Sequence, residues 1–281
     1  MNLDLSIIIV SWNVKSLLNQ CLSSIFNNPP KVSFEVLVVD NNSHDGSAVM
    51  VKGKYPQVKL ILNQTNLGFA KANNQAIQES QSRYILLLNP DTQVLPGTLD
   101  KMINFMETRP ETGALGCKLL NPDGTTQPSC RRFPTINLVL WENLFLSRWF
   151  PDVRIERDYK MTGWKHDDLR EIDQPMGACL MIRSRILKEI GPMDEQFFMF
   201  FEEVDLCYRI KKAGWKIYFT PEAKVIHYSK QSIEQMPGGM SLEYFKSQYK
   251  FMKKHFLNKT PFRFFLLTLL YNWNKAFGGY K

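Results

Sequence analysis

Short apolar runs alternate with segments of helical periodicity over the first ninety residues. The runs cover residues 5–10, 34–39, 58–62 and 83–88. A helical spacing of Leu18, Leu22 and Ile25 follows the first run, and residues 68–77 also have a helical pattern. Strands that are apolar throughout and separated by helices are typical of a parallel sheet that is covered on both faces. The pattern therefore predicts an α/β fold with a Rossmann-like, mostly parallel central sheet.

Polar side chains follow three of these predicted strands at the point where each strand ends. They are Ser11, Trp12 and Asn13 after the first strand, Asp40 and Asn42 after the second, and Asn89 and Asp91 after the fourth. In open α/β sheets, ligands bind at the carboxyl ends of the strands. We therefore expect these side chains to share one edge and to line a ligand site.

The alternation weakens beyond Gly113. An apolar helical stretch spans residues 136–150, and a charged, irregular stretch at 151–171 predicts a loop. A strand is predicted at 176–182 and a helix at 201–213, with two short strands after it.

Asp40 and Asp91 each have two interpretations. An acid at this edge can bind a ribose or a nucleobase, or hold a cation on a diphosphate, since Mg²⁺ and Mn²⁺ prefer oxygen ligands. Alternatively, Asp40 forms an Asx turn after its strand, and Asn89-Pro90-Asp91 is simply a tight turn.

Glu202 and Glu203 open the predicted helix at 201–213. Glu203 shares a helical stripe with Leu206 and Ile210, so we expect it to point inward. Desolvation there raises the pKa of a carboxyl group toward the range of a general base. The alternative is that both acids only favour the helix macrodipole.

Two other polar features of this region have simpler interpretations. The four-residue spacing of Asp205 and Arg209 predicts an outward-facing ion pair. His227 ends a short predicted strand and is either a ligand or a packed core histidine.

Composition excludes several classes of protein. The chain has 281 residues, of which 44% are hydrophobic and 22% charged, as in folded globular proteins. It contains no run of eighteen apolar residues and no basic leader, so we expect neither a membrane span nor a signal peptide, and a cytoplasmic location. Five scattered cysteines with no paired spacing indicate free thiols and argue against a zinc site.

The net charge of +8 is concentrated near the C-terminus. Residues 241–281 hold eight basic side chains and one acid, whereas the first 240 residues hold 27 basic and 26 acidic ones. A basic segment of this kind suggests nucleic acid or an anionic membrane surface as partner. We expect no nucleic acid partner, because the segment lacks any known reader motif.

Five ordered segments together resemble family 2 glycosyltransferases, and within them the bacterial rhamnosyltransferase-type enzymes of cell-surface polysaccharide assembly. They are residues 6–13 (SIIIVSWN), 38–47 (VVDNNSHDGS), 66–74 (NLGFAKANN), 86–91 (LLLNPD) and 198–209 (FMFFEEVDLCYR). The resemblance covers roughly residues 5–228. It implies a GT-A fold and transfer of a sugar from a nucleoside diphosphate sugar with inversion, to a glycan or lipid-linked acceptor.

The resemblance also implies roles for individual residues. Ser11, Trp12, Asn13, Asp40 and Asn42 would hold the nucleoside, Gly68 and Asn73 would lie near ribose or phosphate, and residues 176–179 would line the acceptor pocket. Asp91 and His227 would bind Mg²⁺ or Mn²⁺, although Asn89 replaces the first acid of the family's DxD motif. Glu203 matches the catalytic base, with Glu202 as the second candidate.

The implied organisation has three parts: a donor-binding half at 1–120, an acceptor-binding and catalytic half at 121–235, and a basic helical extension at 236–281. In the extension, Phe245, Tyr249, Met252 and Phe256 form an apolar stripe beside Lys246, Lys250 and Lys253. An aromatic stretch at 262–273 follows. We expect this extension to bind the inner face of an anionic membrane as a peripheral anchor. The alternative is that it caps the catalytic domain.

Two other functions remain open at this point. A nucleotidyltransferase that forms sugar nucleotides uses a similar sheet, but it would be expected to carry a Gly-rich basic loop where Ser11, Trp12 and Asn13 stand. A non-catalytic protein that binds nucleotide sugars would need neither Asp91 nor Glu203.

Overall fold

The computed structural model describes residues 3–150, 152–229 and 240–276 and contains a ten-stranded sheet with helices on both faces. The strands are β1 (Leu5–Ser11), β2 (Phe34–Asp40), β3 (Lys59–Leu62), β4 (Tyr84–Leu88), β5 (Thr92–Val94), β6 (Thr112–Leu120), β7 (Thr126–Gln127), β8 (Cys130–Arg131), β9 (Arg170–Glu171), β10 (Gln174–Pro175), β11 (Cys179–Arg183) and β12 (Lys216–His227). Strands β8 and β10 form a separate small sheet.

Helices fill most of the connections. They are α1 (Lys15–Asn27), α2 (Ser47–Lys54), α3 (Phe69–Glu79), α4 (Thr98–Thr108), α5 (Ile136–Asn143), α6 (Leu146–Trp149), α7 (Arg154–Lys160), α8 (Ser184–Ile190), α9 (Glu202–Lys212), α10 (Met240–Phe256) and α11 (Pro261–Ala276). Among the described residues, no helix is long and apolar enough to cross a bilayer.

The strand order places β1 and β4, whose carboxyl ends carry predicted ligand residues, in the middle of the sheet. The order is β3-β2-β1-β4-β11-β6-β12-β5, with β1 parallel to both β2 and β4. Ser11 lies directly opposite Asp40 in the register of β1 and β2. Antiparallel β11 lies between β4 and β6, and β12 pairs parallel with β6. The predicted α/β class and mostly parallel sheet are confirmed.

Alternate residues of the inner strands explain why these strands are apolar throughout. Ile7 and Ile9 of β1 face a core that includes α1, α2 and α4, whereas Ile8 and Val10 face the opposite core with α3, α8 and α9. Because both faces of the sheet are covered, a polar side chain at either set of alternating positions would be buried, at a cost in folding free energy.

Helix α10 packs against the body of the fold, which corrects the interpretation of its apolar stripe as a membrane face. Phe251 and Met252 are fully buried in a third core, which also contains Val204 of α9. Tyr249 stacks on Phe264 of α11, and Phe256 contacts Tyr208. For α10, capping of the domain is therefore the correct alternative.

Two lysines of α10 also bind within the protein. Lys254 binds Asp194 at 2.6 Å and Asp205 at 2.7 Å, and Lys250 donates to the carbonyl of Gln196. These contacts hold α10 on the segment that leads into α9.

Asp205 is fully buried, so the prediction of an outward pair with Arg209 was wrong. Its carboxylate binds Arg209 at 2.8 Å, Lys254 at 2.7 Å and His255 at 2.7 Å. Burial alone would raise the pKa of Asp205, but hydrogen bonds from His255 and Lys254 and the charge of Arg209 lower it to about 2. A four-residue spacing allows an ion pair on an exposed or on a buried face of a helix. Here the face is buried because α10 packs over it.

The predicted loop at 151–171 was also partly wrong. It contains α7 and the short strand β9, and His166 within it is buried. His166 stacks on Trp164, so aromatic packing orders a segment whose charge pattern indicated a loop.

Candidate active site

Buried oxygens without a hydrogen-bond partner are concentrated in the residues that the sequence selected. Of the nine such oxygens among the described residues, six are Ser11 Oγ, Asp40 Oδ2, Asn73 Oδ1, Asp91 Oδ1, Glu202 Oε2 and Glu203 Oε2, and the other three are Glu35 Oε2, Thr112 Oγ1 and Ser184 Oγ. An unpaired buried polar atom costs about 1–3 kcal/mol. Several such atoms at one sheet edge are typical of a site that is completed by a ligand.

Local turn bonds hold the end of β2. The Oδ1 atom of Asp40 accepts from the backbone N of Ser43 at 2.8 Å, so the predicted Asx-type turn is present. The second oxygen, Oδ2, makes no such bond. Asp40 therefore combines both interpretations: one oxygen builds the turn and the other is available for a ligand.

The neighbouring loop is braced from β1. Asn13 has a positive φ of 53°, and its Oδ1 accepts from the backbone N of His44 at 2.7 Å. Trp12 and Asn42 are half-buried beside it. Asn42 also has a positive φ, of 66°, which Asn tolerates better than most residues.

Gly68 lies at the start of α3, in close contact with the segment that precedes α9. Its φ is +82°, and a Cβ at this position would lie 2.4 Å from the carbonyl oxygen of Phe198. That carbonyl accepts from the backbone N of Phe69 at 2.8 Å. Asn73 follows one turn into α3 and donates to the Phe69 carbonyl, which leaves its Oδ1 unpaired.

Asp91 and His227 meet at the end of β4. The Nε2 atom of His227 lies 3.4 Å from Asp91 Oδ1, and both side chains are buried. The Oε1 atom of Gln127 accepts from His227 Nδ1 at 2.7 Å. With the proton on Nδ1, Nε2 presents a lone pair to a carboxylate oxygen that has no hydrogen bond of its own.

These two atoms fit a divalent cation. Two neighbouring ligands of an octahedral ion with bonds of 2.0–2.1 Å stand about 3 Å apart. Asn89 is half-buried in the same turn, and its backbone N donates to Ala178. Among residues 3–150, 152–229 and 240–276, no cluster of three His, Cys, Asp or Glu side chains occurs, so this protein supplies few ligands itself.

Glu203 lines a pocket of about 250 Å³ that is also lined by Met176 of the 176–179 segment. A Cβ on Gly177 would lie 3.5 Å from Cβ and Cγ of Glu203, so the chain passes close to the carboxylate. Because Ala178 binds Asn89 and Gly177 faces Glu203, two adjacent residues connect the Asp91 turn with the pocket.

Burial raises the pKa of Glu203, and it raises the pKa of Glu202 further, with the neighbouring charge of Glu203 adding to the effect. Glu203 faces the pocket, whereas Glu202 is not among its lining residues. The backbone N–H groups at the start of α9 oppose the shift of Glu203.

The backbone before these acids is in an unusual conformation. Phe200 and Phe201 have positive φ values of 65° and 68°, which aromatic residues rarely adopt. The Tyr244 ring packs on both, and Ser247 donates to the carbonyl of Met199 at 2.8 Å. Helix α10 therefore holds the segment that positions Glu203.

Sequence reasoning missed part of the pocket wall. Arg131, Glu142, Tyr159 and Tyr244 all line it. They come from four elements that are distant in the sequence, and no motif connects them. The only available signal was the apolar stripe of α10, which predicted a packing face without identifying its partner.

The sequence profile of glycosyl transferase family 2 matches residues 6–191, and the chain belongs to this family. It is therefore a glycosyltransferase, which removes the nucleotidyltransferase and non-catalytic interpretations. A similar protein is the N-acetylglucosaminyl-diphospho-decaprenol L-rhamnosyltransferase of Mycobacterium tuberculosis, at 30% identity over 77% of this chain and 74% of the relative.

Solved structures share the fold. GalNAc-T7, with UDP, GalNAc and Mn²⁺, has a TM-score of 0.65 at 15% identity, over 89% of this chain and 48% of that one. The mannosyltransferase PcManGT from Pyrobaculum calidifontis, in complex with GDP-Man and Mn²⁺, has a TM-score of 0.58 at 14% identity, over 98% and 76%. These similarities confirm the GT-A fold.

Proposed function

We propose that the protein transfers a sugar, with inversion, from a nucleoside diphosphate sugar to a hydroxyl group of a lipid-linked acceptor. The observation that carries this proposal is the juxtaposition of two sites. Unpaired oxygens of Asp40 and Asp91 lie on the proposed donor side, and residues 177 and 178 connect the Asp91 turn with Glu203, because Ala178 accepts from the backbone N of Asn89 and Gly177 lies close to Glu203. The division at residue 120 holds only in part, because His227 lies beside Asp91 and Tyr244 of α10 lines the pocket with Glu203.

Glu203 acts as the general base in this mechanism. An acceptor hydroxyl in the pocket gives its proton to the carboxylate as its oxygen bonds to the anomeric carbon. The bond from that carbon to the diphosphate oxygen breaks, and the nucleoside diphosphate takes the electron pair. A raised pKa suits this role, because a general base works best with a pKa near the operating pH. One displacement inverts the anomeric centre.

Asp91 and His227 are the proposed ligands of Mg²⁺ or Mn²⁺, with Gln127 fixing the imidazole tautomer. When bound, the cation would neutralise charge on the departing diphosphate. Asp40, Ser11 and Asn73 would hold the nucleoside and ribose through their unpaired oxygens.

A lipid-linked acceptor is favoured by both the relative and the surface of this protein. The mycobacterial relative is named for a diphospho-decaprenol acceptor and an L-rhamnosyl group. Here, five large apolar side chains of α11 are exposed: Phe262, Phe265, Leu266, Leu269 and Trp273. At 100° per residue, these five side chains fall within an arc of about 100° around the helix axis, on the side opposite the buried Phe264 and Leu267.

The exposed face of α11 suits a peripheral position on a membrane. Helix α11 packs beside α5 through contacts such as Arg263 with Asn137, and α6, which follows α5, ends at Trp149 and Phe150, 79% and 57% exposed. Aromatic side chains with nearby basic residues are typical of helices that lie in the bilayer interface. The membrane-facing part of the extension is therefore α11, not α10.

Thermal unfolding with a panel of nucleoside diphosphate sugars tests the donor assignment. One donor should raise the midpoint in the presence of Mn²⁺, because a ligand stabilises the state that binds it. Asp91→Asn and chelation with EDTA should each reduce that shift, whereas Asp123→Asn, on an exposed turn, should not. A donor shift that is insensitive to both would refute the metal assignment, and no shift with any donor would refute the donor class.

A further inference from the structure

Arg131 is a half-buried arginine in the pocket that contains Glu203. It lies on β8, opposite Gln174 of β10. Its guanidinium carbon stands 5.7 Å from the centre of the Tyr159 ring, and no hydrogen bond or ion pair to the guanidinium occurs in the part of the chain that the structure describes.

Other half-buried arginines are satisfied. Arg183 donates to the Thr112 carbonyl at 3.1 Å and to the Met106 carbonyl at 2.7 Å. Arg209 binds Asp205 and three backbone carbonyls, and Arg109 donates to Thr108 at 3.2 Å. A planar guanidinium with five donors is costly to leave unpaired away from water. Arg131 is therefore poised for a ligand.

The other side chains of the pocket offset this cation only in part. Lys160 is occupied by Glu156 at 2.6 Å, and the Glu142 carboxylate accepts from Gln248 at 2.5 Å. Burial raises the pKa of Tyr159 to about 12 and raises the pKa of Tyr244 well above its usual value, so both phenols are neutral. Glu142 and Glu203 are the two acids of the pocket; burial raises the pKa of both carboxyls, and the nearby charge of Arg131 opposes this shift, but neither carboxylate forms an ion pair with the guanidinium among the described residues. The proposed chemistry reserves Glu203 for the acceptor hydroxyl.

We infer that Arg131 binds a phosphate group of the acceptor, so that the pocket selects a sugar carried on a lipid diphosphate over the same sugar on a neutral aglycone. This inference rests on the proposed function. A guanidinium matches phosphate oxygens with two parallel hydrogen bonds. Phe200 and the two tyrosines supply the apolar walls that a sugar ring and the first lipid carbons need.

The pocket size agrees with a short ligand. Its volume of about 250 Å³ is below the roughly 300–1,000 Å³ of sites for drug-sized molecules. It therefore suits one terminal sugar with its phosphate. The lipid would leave toward α5, which carries Glu142 in the pocket and packs against α11.

Binding of farnesyl diphosphate, measured by calorimetry in EDTA, tests the inference without turnover. Wild-type protein should bind it and should not bind farnesol. Arg131→Met should weaken binding by about 10- to 100-fold, the worth of a hydrogen bond to a charged group, and Arg131→Lys should weaken it less. Arg132→Met is the matched control: its side chain is exposed, it removes the same charge, and it should leave affinity unchanged.

A second arm separates acceptor from donor. UDP, GDP and dTDP, each titrated with Mn²⁺, should bind the wild type and Arg131→Met equally. Loss of nucleotide affinity with unchanged farnesyl diphosphate affinity would assign the guanidinium to the donor and overturn the inference. Equal farnesyl diphosphate affinity in wild type and Arg131→Met, equal binding of farnesol, or no binding by folded wild type would also overturn it. If the proposed function is wrong, no nucleoside diphosphate sugar of the panel will raise the midpoint of thermal unfolding.

Discussion

The proposed donor wall and the proposed acceptor wall of the site are built in different ways. The donor wall consists of strand ends and the turns after them, and short-range hydrogen bonds such as that from Ser43 N to Asp40 fix it. The acceptor wall joins β8, α5, α7, α9 and α10, some of which are more than a hundred residues apart. A site built from strand ends is therefore encoded in short motifs, whereas a site between helices depends on the packing of distant segments.

The acceptor wall should be the more fragile of the two, and Asp205→Asn gives the largest expected effect. The variant leaves Arg209, Lys254 and His255 around a neutral side chain, so the free energy of unfolding should fall by about 3–5 kcal/mol. Urea unfolding at pH 7 measures it. Asp194→Asn, which removes only the more exposed partner of Lys254, is the control and should cost about 1 kcal/mol or less.

The pH dependence of the stability difference between wild type and Asp205→Asn tests whether the charge of Asp205 causes it. The pKa of Asp205 is lowered on folding, so its stabilisation is complete above the unfolded pKa near 3.9 and is lost as the pH falls toward 2. The difference between wild type and Asp205→Asn should therefore shrink below pH 4. A difference that stays constant down to pH 2 would contradict the buried ion cluster.

The junction between the walls should respond to Gly68→Ala. Alanine at a positive φ costs about 1–2 kcal/mol, and here its Cβ would also overlap the Phe198 carbonyl. Gly97→Ala is a matched control, because Gly97 has a φ of +72° with no atom within 4 Å of the added Cβ. Thermal unfolding should show a larger loss for Gly68→Ala, together with weaker donor binding. Equal losses of thermal stability in the two variants would mean that the Phe198 carbonyl moves aside at no cost in free energy.

The smallest expected effect concerns the exposed face of α11, which packs beside α5 of the acceptor wall. Phe262→Ser with Phe265→Ser should reduce flotation with anionic liposomes by about tenfold or more, since each side chain is worth on the order of 1 kcal/mol or more when removed from water. Val49→Ser, an exposed apolar site on α2, serves as control and should float like the wild type. Flotation that is unchanged by the double variant would reject α11 as the membrane face.

The strand ends of the proposed donor wall were predictable because their signals are local. Apolar runs located the first four strands, and Ser11, Asp40 and Asp91, which follow three of them, lie at one edge as expected. The acceptor wall was less predictable. The stripe of α10 was correctly recognised as apolar, but its partner, Val204 and its neighbours, lies in another part of the chain. Asp205 was misassigned for the same reason, because Lys254 and His255 lie about fifty residues away.

The most direct test of the account is the comparison of turnover and donor affinity in Glu203→Gln. If Glu203 is the base on the acceptor side, transfer should fall by about a hundredfold or more while the nucleoside diphosphate sugar binds as in the wild type. Glu202→Gln is the matched control, since Glu202 does not line the pocket. In the wild type, the rate should rise with pH through the raised pKa of Glu203. Turnover above about a tenth of the wild-type rate in Glu203→Gln, or equal losses of turnover and donor affinity, would contradict the account.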